Sequence, residues 1–156
     1  MTAYTLGFAF IFTWNRPPAV VLIRKAKPQW QAGKLNGVGG RIEDRDDTCV
    51  DGMVREFQEE TGCATNPKDW VKFTEMRFAG DHGNGSDVIV HCFATILQGH
   101  QTVKTMTQEE VEIHYLSELL KVNEFLPNLA WLIPMAHYAI FREHEDNSIP
   151  HTLDHV

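Results

Sequence analysis

With 156 residues, 43% of them hydrophobic, the chain is long enough to bury a core and short enough for one domain, and it has no apolar run near the roughly 20 residues a membrane span needs. A formal charge of -7 works against broad binding to nucleic acid polymers or anionic membranes, while a small anionic ligand could still be held through metal ions. Three cysteines, Cys49, Cys63 and Cys92, in neither CxxC spacing nor an even set, read as unpaired buried thiols and point to a reducing, cytoplasmic compartment.

In chain order, the opening "MTAYTLGFAFIFTW" is apolar, but it has no basic n-region and no small-residue cleavage site. It therefore reads as a strand over Tyr4 to Trp14 rather than a signal peptide. "NRPP" at 15 to 18 reads as a hairpin turn into a second strand, Ala19 to Lys25, whose terminal Arg24 and Lys25 are candidates to contact phosphates. A helix is expected over Thr48 to Thr61, with Thr48 as N-cap after the acidic run "EDRDD" and Gly62 as the residue that ends it. Strands follow at Trp70 to Phe78, Asp87 to Leu97 and Val111 to Leu116, with the polar connection "DHGNGSD" between the first two. The last helix, Leu129 to His144, has an apolar face through Leu132, Met135 and Ala136 that would take Trp131 into the core. Residues 147–156 read as a loose tail on a single domain spanning 1–156. Mixed strands and helices without repeats indicate the α/β class. Eight histidines lack HxH or HExxH spacing, so no zinc site is expected.

The helix at Thr48 to Thr61 carries the chemistry. Glu56, Glu59 and Glu60 stand at i, i+3 and i+4, so three carboxylates leave one helix face, where like charges repel unless a cation joins them. Hard oxygen ligands in this number suit Mg²⁺ or Mn²⁺. Just upstream, "LNGVGGRIEDRDD" supplies Gly37, Gly39 and Gly40, a glycine path that lets backbone groups approach a ligand closely.

The stretch "GGRIEDRDDTCVDGMVREFQEETGC" resembles the Nudix box, the loop and helix signature of the Nudix hydrolases. Arg55, Glu56, Phe57, Glu59, Glu60, Gly62 and Cys63 match its second half at every fixed position. The first half departs from it. Asp46 stands where the pattern has Glu, and eight residues rather than seven separate it from Arg55; with Asp47 as the equivalent, the extra residue falls earlier. Gly52 replaces a better helix former, at up to about 1 kcal/mol relative to Ala. The resemblance implies an α/β/α sandwich with a mixed β-sheet, and a Mg²⁺-dependent enzyme that cleaves nucleoside diphosphate-linked compounds by attack of water on phosphorus. It implies further that Glu56, Glu59, Glu60 and the Gly39 carbonyl hold the metal, that Arg55 anchors the loop through Asp46 or Asp47, and that Glu110 of "TQEEVEIHYL" reaches the metals.

Outside the box, "WQAGKLNGVGG" is similar to the segment of the oxidised-purine triphosphatases of this family in which an aromatic ring stacks on the base and an asparagine reads its edge. The similarity points to Trp30 and Asn36. "FLPNLAWLIPMAHY" resembles the entry to the last helix of the same group and places Asn128 where an acid often contacts the base. The substrate so implied is a purine nucleoside triphosphate, oxidised or not, cut to monophosphate and pyrophosphate. A nucleoside diphosphate sugar or dinucleotide, or a nucleotide-binding module without catalysis, is the alternative. A nucleotide is thus the expected partner, with no nucleic acid polymer and no membrane; monomer and homodimer are both compatible with the sequence.

Overall fold

The computed structural model describes residues 1–156 except 14–15, 81–84, 120, 122–123 and 149–156. Six strands form one mixed sheet: β1 (Thr2–Thr13), β2 (Arg16–Arg24), β3 (Leu35–Asn36), β4 (Val71–Phe78), β5 (Val88–Ile96) and β6 (Glu110–Tyr115). Three helices accompany it, α1 (Cys49–Thr61), α2 (Leu116–Leu119) and α3 (Leu129–Ser148). The sheet runs β3-β2-β1-β5-β4, with β6 on β2. Among the described strands β1 and β5 pair in parallel, while β1 with β2, β2 with β3 and β6, and β4 with β5 are antiparallel.

The apolar run at the start of the chain follows from burial on both sides, since side chains alternate across a strand. Leu6, Phe8 and Phe10 of β1 join Val20 and Leu22 of β2 against Leu129, Leu132 and Ala136 of α3. Ala9, Val21 and Ile23 face the other way, toward Met53 and Phe57 of α1 with Trp70. The result is the helix, sheet, helix layering expected of the α/β/α sandwich.

Several boundaries differ from the sequence reading. Arg16, Pro17 and Pro18 belong to β2, and the remainder of the expected turn and the tail beyond Ser148 lie outside the described residues. The helix α3 runs on to Ser148. Strand β3, the single turn Pro67–Asp69 and the short α2 were not expected, and each is too brief to set a periodicity. Trp131 is not core: it is 46% exposed, because Leu129, Leu132, Ile133 and Ala136 take the inward face of α3. Cys63 and Cys92 are buried, Cys49 half-buried, and all three are free. Burial pushes both buried thiols up, Cys92 to about 12.

The division of β1 positions the site. Its residues Ala9 to Thr13 pair with β2, but farther back β2 is replaced by the glycine loop. There Gly7 and Val38 exchange backbone hydrogen bonds and Thr5 N donates to Gly40 O at 2.8 Å. The loop is thus stitched into the sheet and delivered to the face of α1. Among the described residues no helix is long and apolar enough to cross a membrane.

Candidate active site

Helix α1 is framed as its caps predict. Thr48 is its N-cap and accepts from the Asp51 amide at 3.2 Å; Gly62, with φ 71°, ends it by donating its amide to Gln58 O at 2.8 Å. Between the caps, Gly40 of the loop lies so close to the helix that a Cβ there would sit 2.5 Å from the Glu56 carboxylate. A side chain there would displace the Glu56 carboxylate, and at Gly39 a Cβ would collide with the backbone oxygen of Thr5, an approach only glycine permits.

The loop's ionic anchor is Asp46, not Asp47. Arg55 Nε and Nη2 reach the two Asp46 oxygens at 2.9 Å each, a bidentate fork, and Arg55 Nη2 also donates to Arg41 O at 2.9 Å. The Glu43 amide donates to the same Asp46 carboxylate at 2.9 Å. Asp47 is exposed. The fork with Arg55 holds the Asp46 carboxyl below its usual range despite partial burial, and the same bond raises Arg55. Gly52 explains itself here: a Cβ on it would lie 3.1 Å from Asp46 Oδ2. An aspartate one methylene shorter than the family's glutamate must bring its backbone closer to the helix, and the glycine makes room.

The three glutamates of α1 part company. Glu59 is exposed, with its oxygens on Arg45 and Arg55, both at 3.1 Å. Glu56 receives Arg55 Nη1 at 2.9 Å, yet burial outweighs that contact and raises its carboxyl. Glu60 turns inward. Burial pushes it up to about 8; Lys25 and a backbone hydrogen bond from Gly39 oppose that shift, and Glu109 and Glu56 add to it. Its Oε2 is buried without a hydrogen-bond partner among the described residues.

Glu109, rather than Glu110, is the distant carboxylate that approaches this group. Glu109 is buried, accepts from Lys25 Nζ at 2.9 Å and from the Ala26 amide at 3.3 Å, and its charge adds to the upward shift of the Glu60 carboxyl. Glu110, opposite Arg24 at the start of β6, is exposed. The sequence offers two adjacent acids just before a strand, and only the pleat decides which one points inward.

Arg24 is likewise not in the cleft. Its guanidinium is taken by Glu112, by Glu124 at 2.7 Å and by Gly33 O at 2.9 Å, and the two carboxylates, Glu112 foremost, raise it further. Lys25, the next residue, lines the cleft instead.

That cleft, of about 1,100 Å³, opens beside the glycine loop. Trp30, Asn36, Asn128 and Trp131 all line it, together with Gly39, Gly40 and Lys25 at one end and Met76 and Phe78 of β4 on a wall. Trp30 is 65% exposed on the cleft lining. Asn36 Oδ1 accepts from the Gly37 amide at 2.8 Å, which fixes the side-chain oxygen on the loop backbone.

No three His, Cys, Asp or Glu side chains among the described residues are gathered into a ready-made metal centre, since Glu59 is turned to its arginines. The donor chemistry nonetheless fits a hard cation: a buried, unpartnered carboxylate oxygen on Glu60 beside the acids Glu56 and Glu109, with glycine backbone alongside.

A family model, that of the NUDIX domain, matches residues 4–140. The chain belongs to the Nudix family. No curated protein matches it significantly. Its fold is shared by many solved Nudix structures at low identity. The NUDIX domain of Shewanella oneidensis NrtR complexed with ADP ribose has a TM-score of 0.72 at 14% identity, over 88% of this chain and 86% of that one. The MutT protein from Bacillus halodurans gives 0.61 at 17%, over 86% and 80%. A C. elegans Ap4A hydrolase binary complex gives 0.65 at 11%, over 92% and 99%. NrtR has also been solved with a 27mer DNA, where the match covers 63% of that chain. Nudix hydrolases act on nucleoside diphosphate-linked substrates, and this chain is a pyrophosphohydrolase of that family.

Proposed function

We propose that the chain hydrolyses a purine nucleoside triphosphate, oxidised or not, to the monophosphate and pyrophosphate, in a reaction that depends on a divalent cation. The observation that carries this reading is the unpartnered Glu60 Oε2 among acids at the end of a cleft with tryptophans for a base. Glu56 and Glu60 would hold Mg²⁺ or Mn²⁺ with the Gly39 carbonyl, joined by Glu59 on release from Arg45 and Arg55. A cation bound there neutralises charge that builds on the phosphoryl oxygens and lowers the pKa of attacking water.

The chain's own residues do the rest. Arg55 and Asp46 fix the loop against α1, which keeps Gly39 and Gly40 beside the glutamates. Glu109, or one of the box glutamates, takes the proton of the attacking water; Glu109 is well placed because it is buried at the acid cluster. Trp30 and Trp131 offer ring faces to a purine, while the Asn36 NH₂ donates to an acceptor on its edge and Asn128 adds an amide where the family often has an acid.

One observation favours a second reading. A cleft of about 1,100 Å³ exceeds what one base requires, because pockets for drug-sized ligands run to roughly 1,000 Å³, so a nucleoside diphosphate linked to a second sugar would also fit. Incubating the protein and Mg²⁺ with a panel of purine triphosphates, their 8-oxo forms, ADP-ribose and diadenosine polyphosphates, with products weighed by mass spectrometry, separates the two. A monophosphate plus pyrophosphate from the triphosphates is the expected outcome; turnover of ADP-ribose or the diadenosine compounds alone would transfer the assignment to the second reading.

A further inference from the structure

Lys25 stands where the cleft meets the acid cluster. Its side chain is 16% exposed and its ammonium nitrogen lies 2.9 Å from Glu109 Oε2, on a carboxylate side chain that is itself 8% exposed. The charge of the same ammonium opposes the upward shift of the Glu60 carboxyl, and Glu60 Oε2 has no hydrogen-bond partner among the described residues. Arg24, one residue back, is held by Glu112 and Glu124, and Arg55 by Asp46, Glu56 and Glu59, so of the acids near the cleft Arg55 serves Glu56, and Glu60 and Glu109 are left to Lys25.

Building on the reading of these acids as a metal site, we propose that Lys25 is the resident counter-ion of the cluster, occupying the electrostatic place of the divalent cation and competing with it for Glu109. Glu60 and Glu109 each disfavour the other's charge in a partly buried site, and the Lys25 ammonium offsets part of that repulsion, as Arg55 does for Glu56, until a divalent ion brings two charges. A hard divalent cation and an ammonium cannot both sit on Glu109 Oε2, so a metal held by Glu56 and Glu60 that also takes this carboxylate requires Lys25 to let go. Lys25 is thus a positioning residue that sets the metal affinity from within the site.

The geometry separates this role from simple scaffolding. Glu109 has other attachments: its Oε1 accepts from the Ala26 amide at 3.3 Å, and its own amide donates to Thr107 Oγ1 at 3.1 Å. Loss of the ammonium therefore removes a competitor and leaves the carboxylate in place. If Lys25 were only a strut for Glu109, its loss would scatter the ligands and weaken the metal.

The test is a titration of metal-free protein with Mn²⁺, followed by electron paramagnetic resonance of the free ion, with no nucleotide present. Lys25→Met should bind Mn²⁺ more tightly than the parent by roughly tenfold, and Lys25→Arg, which keeps the charge, should stay within about twofold. Far-UV circular dichroism identifies a variant that has failed to fold, and Lys25→Gln then replaces Lys25→Met. Equal or weaker binding by the folded, uncharged variant overturns the counter-ion role while leaving the metal site intact. Absence of Mn²⁺ binding by the parent overturns both the role and the site.

Discussion

Asp46 shows how one side chain decides the behaviour of a loop. It is buried to 4% side-chain exposure in a fork with Arg55, whereas its neighbour Asp47 is exposed and makes no comparable contact. Asp46→Asn keeps the shape but deprives the Arg55 fork of its charge, and it should destabilise the fold by about 2 kcal/mol. That is less than the 3–5 kcal/mol typical of breaking a fully buried pair, because Arg55 retains Glu56, Glu59 and the Arg41 carbonyl. Asp47→Asn should stay within about 0.5 kcal/mol of the parent. Urea unfolding of the two variants checks this, and the opposite ranking would move the anchor to Asp47. Glu60 gives a pH dependence of unusual sign. Its ordinary value is 4.5 and burial lifts it to about 8 in the folded state, so between those values the folded state holds a proton that the unfolded state has released. Stability of the metal-free protein should therefore fall as pH rises from 4.5 to about 8 and level off above. Thermal melts in EDTA across that window should show the decline in the parent and a flatter profile in Glu60→Gln; parallel profiles would show that Glu60 is not the group responsible.

At the scale of elements, α1 carries a mid-helix glycine that propensity alone counts as a defect. Gly52→Ala would ordinarily gain up to about 1 kcal/mol in a helix interior. Here the new Cβ would press on Asp46 Oδ2 at 3.1 Å, and Asp46 cannot retreat from two bonds to Arg55 and one from Glu43. Gly52→Ala is expected to leave the melting temperature unchanged or lower it in the parent, and to raise it in an Asp46→Ala background, a coupling that a double-mutant cycle reads directly. A gain of the same size in both backgrounds would show that the two residues do not meet. The helix itself was legible in the sequence because its caps and its acids are local chemistry: Thr48, Gly62 and the spacing of Glu56, Glu59 and Glu60 need no knowledge of the rest of the fold. What was not legible depends on partners distant in the chain. Trp131 follows an apolar face by spacing, but α3 rotates that residue into the cleft; Glu109, in the bend before β6, is buried against Lys25, while Glu110, the first residue of the strand, is exposed. Arg24 ends an apolar strand like any solvated base, and its three acceptors come from residues 33, 112 and 124.

For the whole molecule, the cleft is an assembly of segments far apart in sequence: the start of β1, the 28–37 loop, β4 with β5, and the turn into α3. Arg24 fastens two of them, since it binds Gly33 O in the loop that carries Trp30 and Glu124 just before the turn that carries Asn128. Leu35 N donates to Glu124 O at 2.7 Å and Leu126 N to Leu35 O at 3.0 Å, which locks the same two walls together. The acid cluster and the cleft thus meet along the glycine loop, with chemistry at one end and recognition at the other. The central claim is that a divalent cation held by Glu60 and its neighbours drives phosphoanhydride cleavage. It is tested most directly by titrating Mg²⁺ into metal-stripped parent and Glu60→Gln while pyrophosphate release from GTP and 8-oxo-GTP is followed. The account predicts no turnover without metal and a loss in Glu60→Gln of at least about a hundredfold, since even outer-shell partners of a metal cost 10–100-fold. Turnover in EDTA, or a Glu60→Gln rate within a few-fold of the parent across the titration, would contradict it.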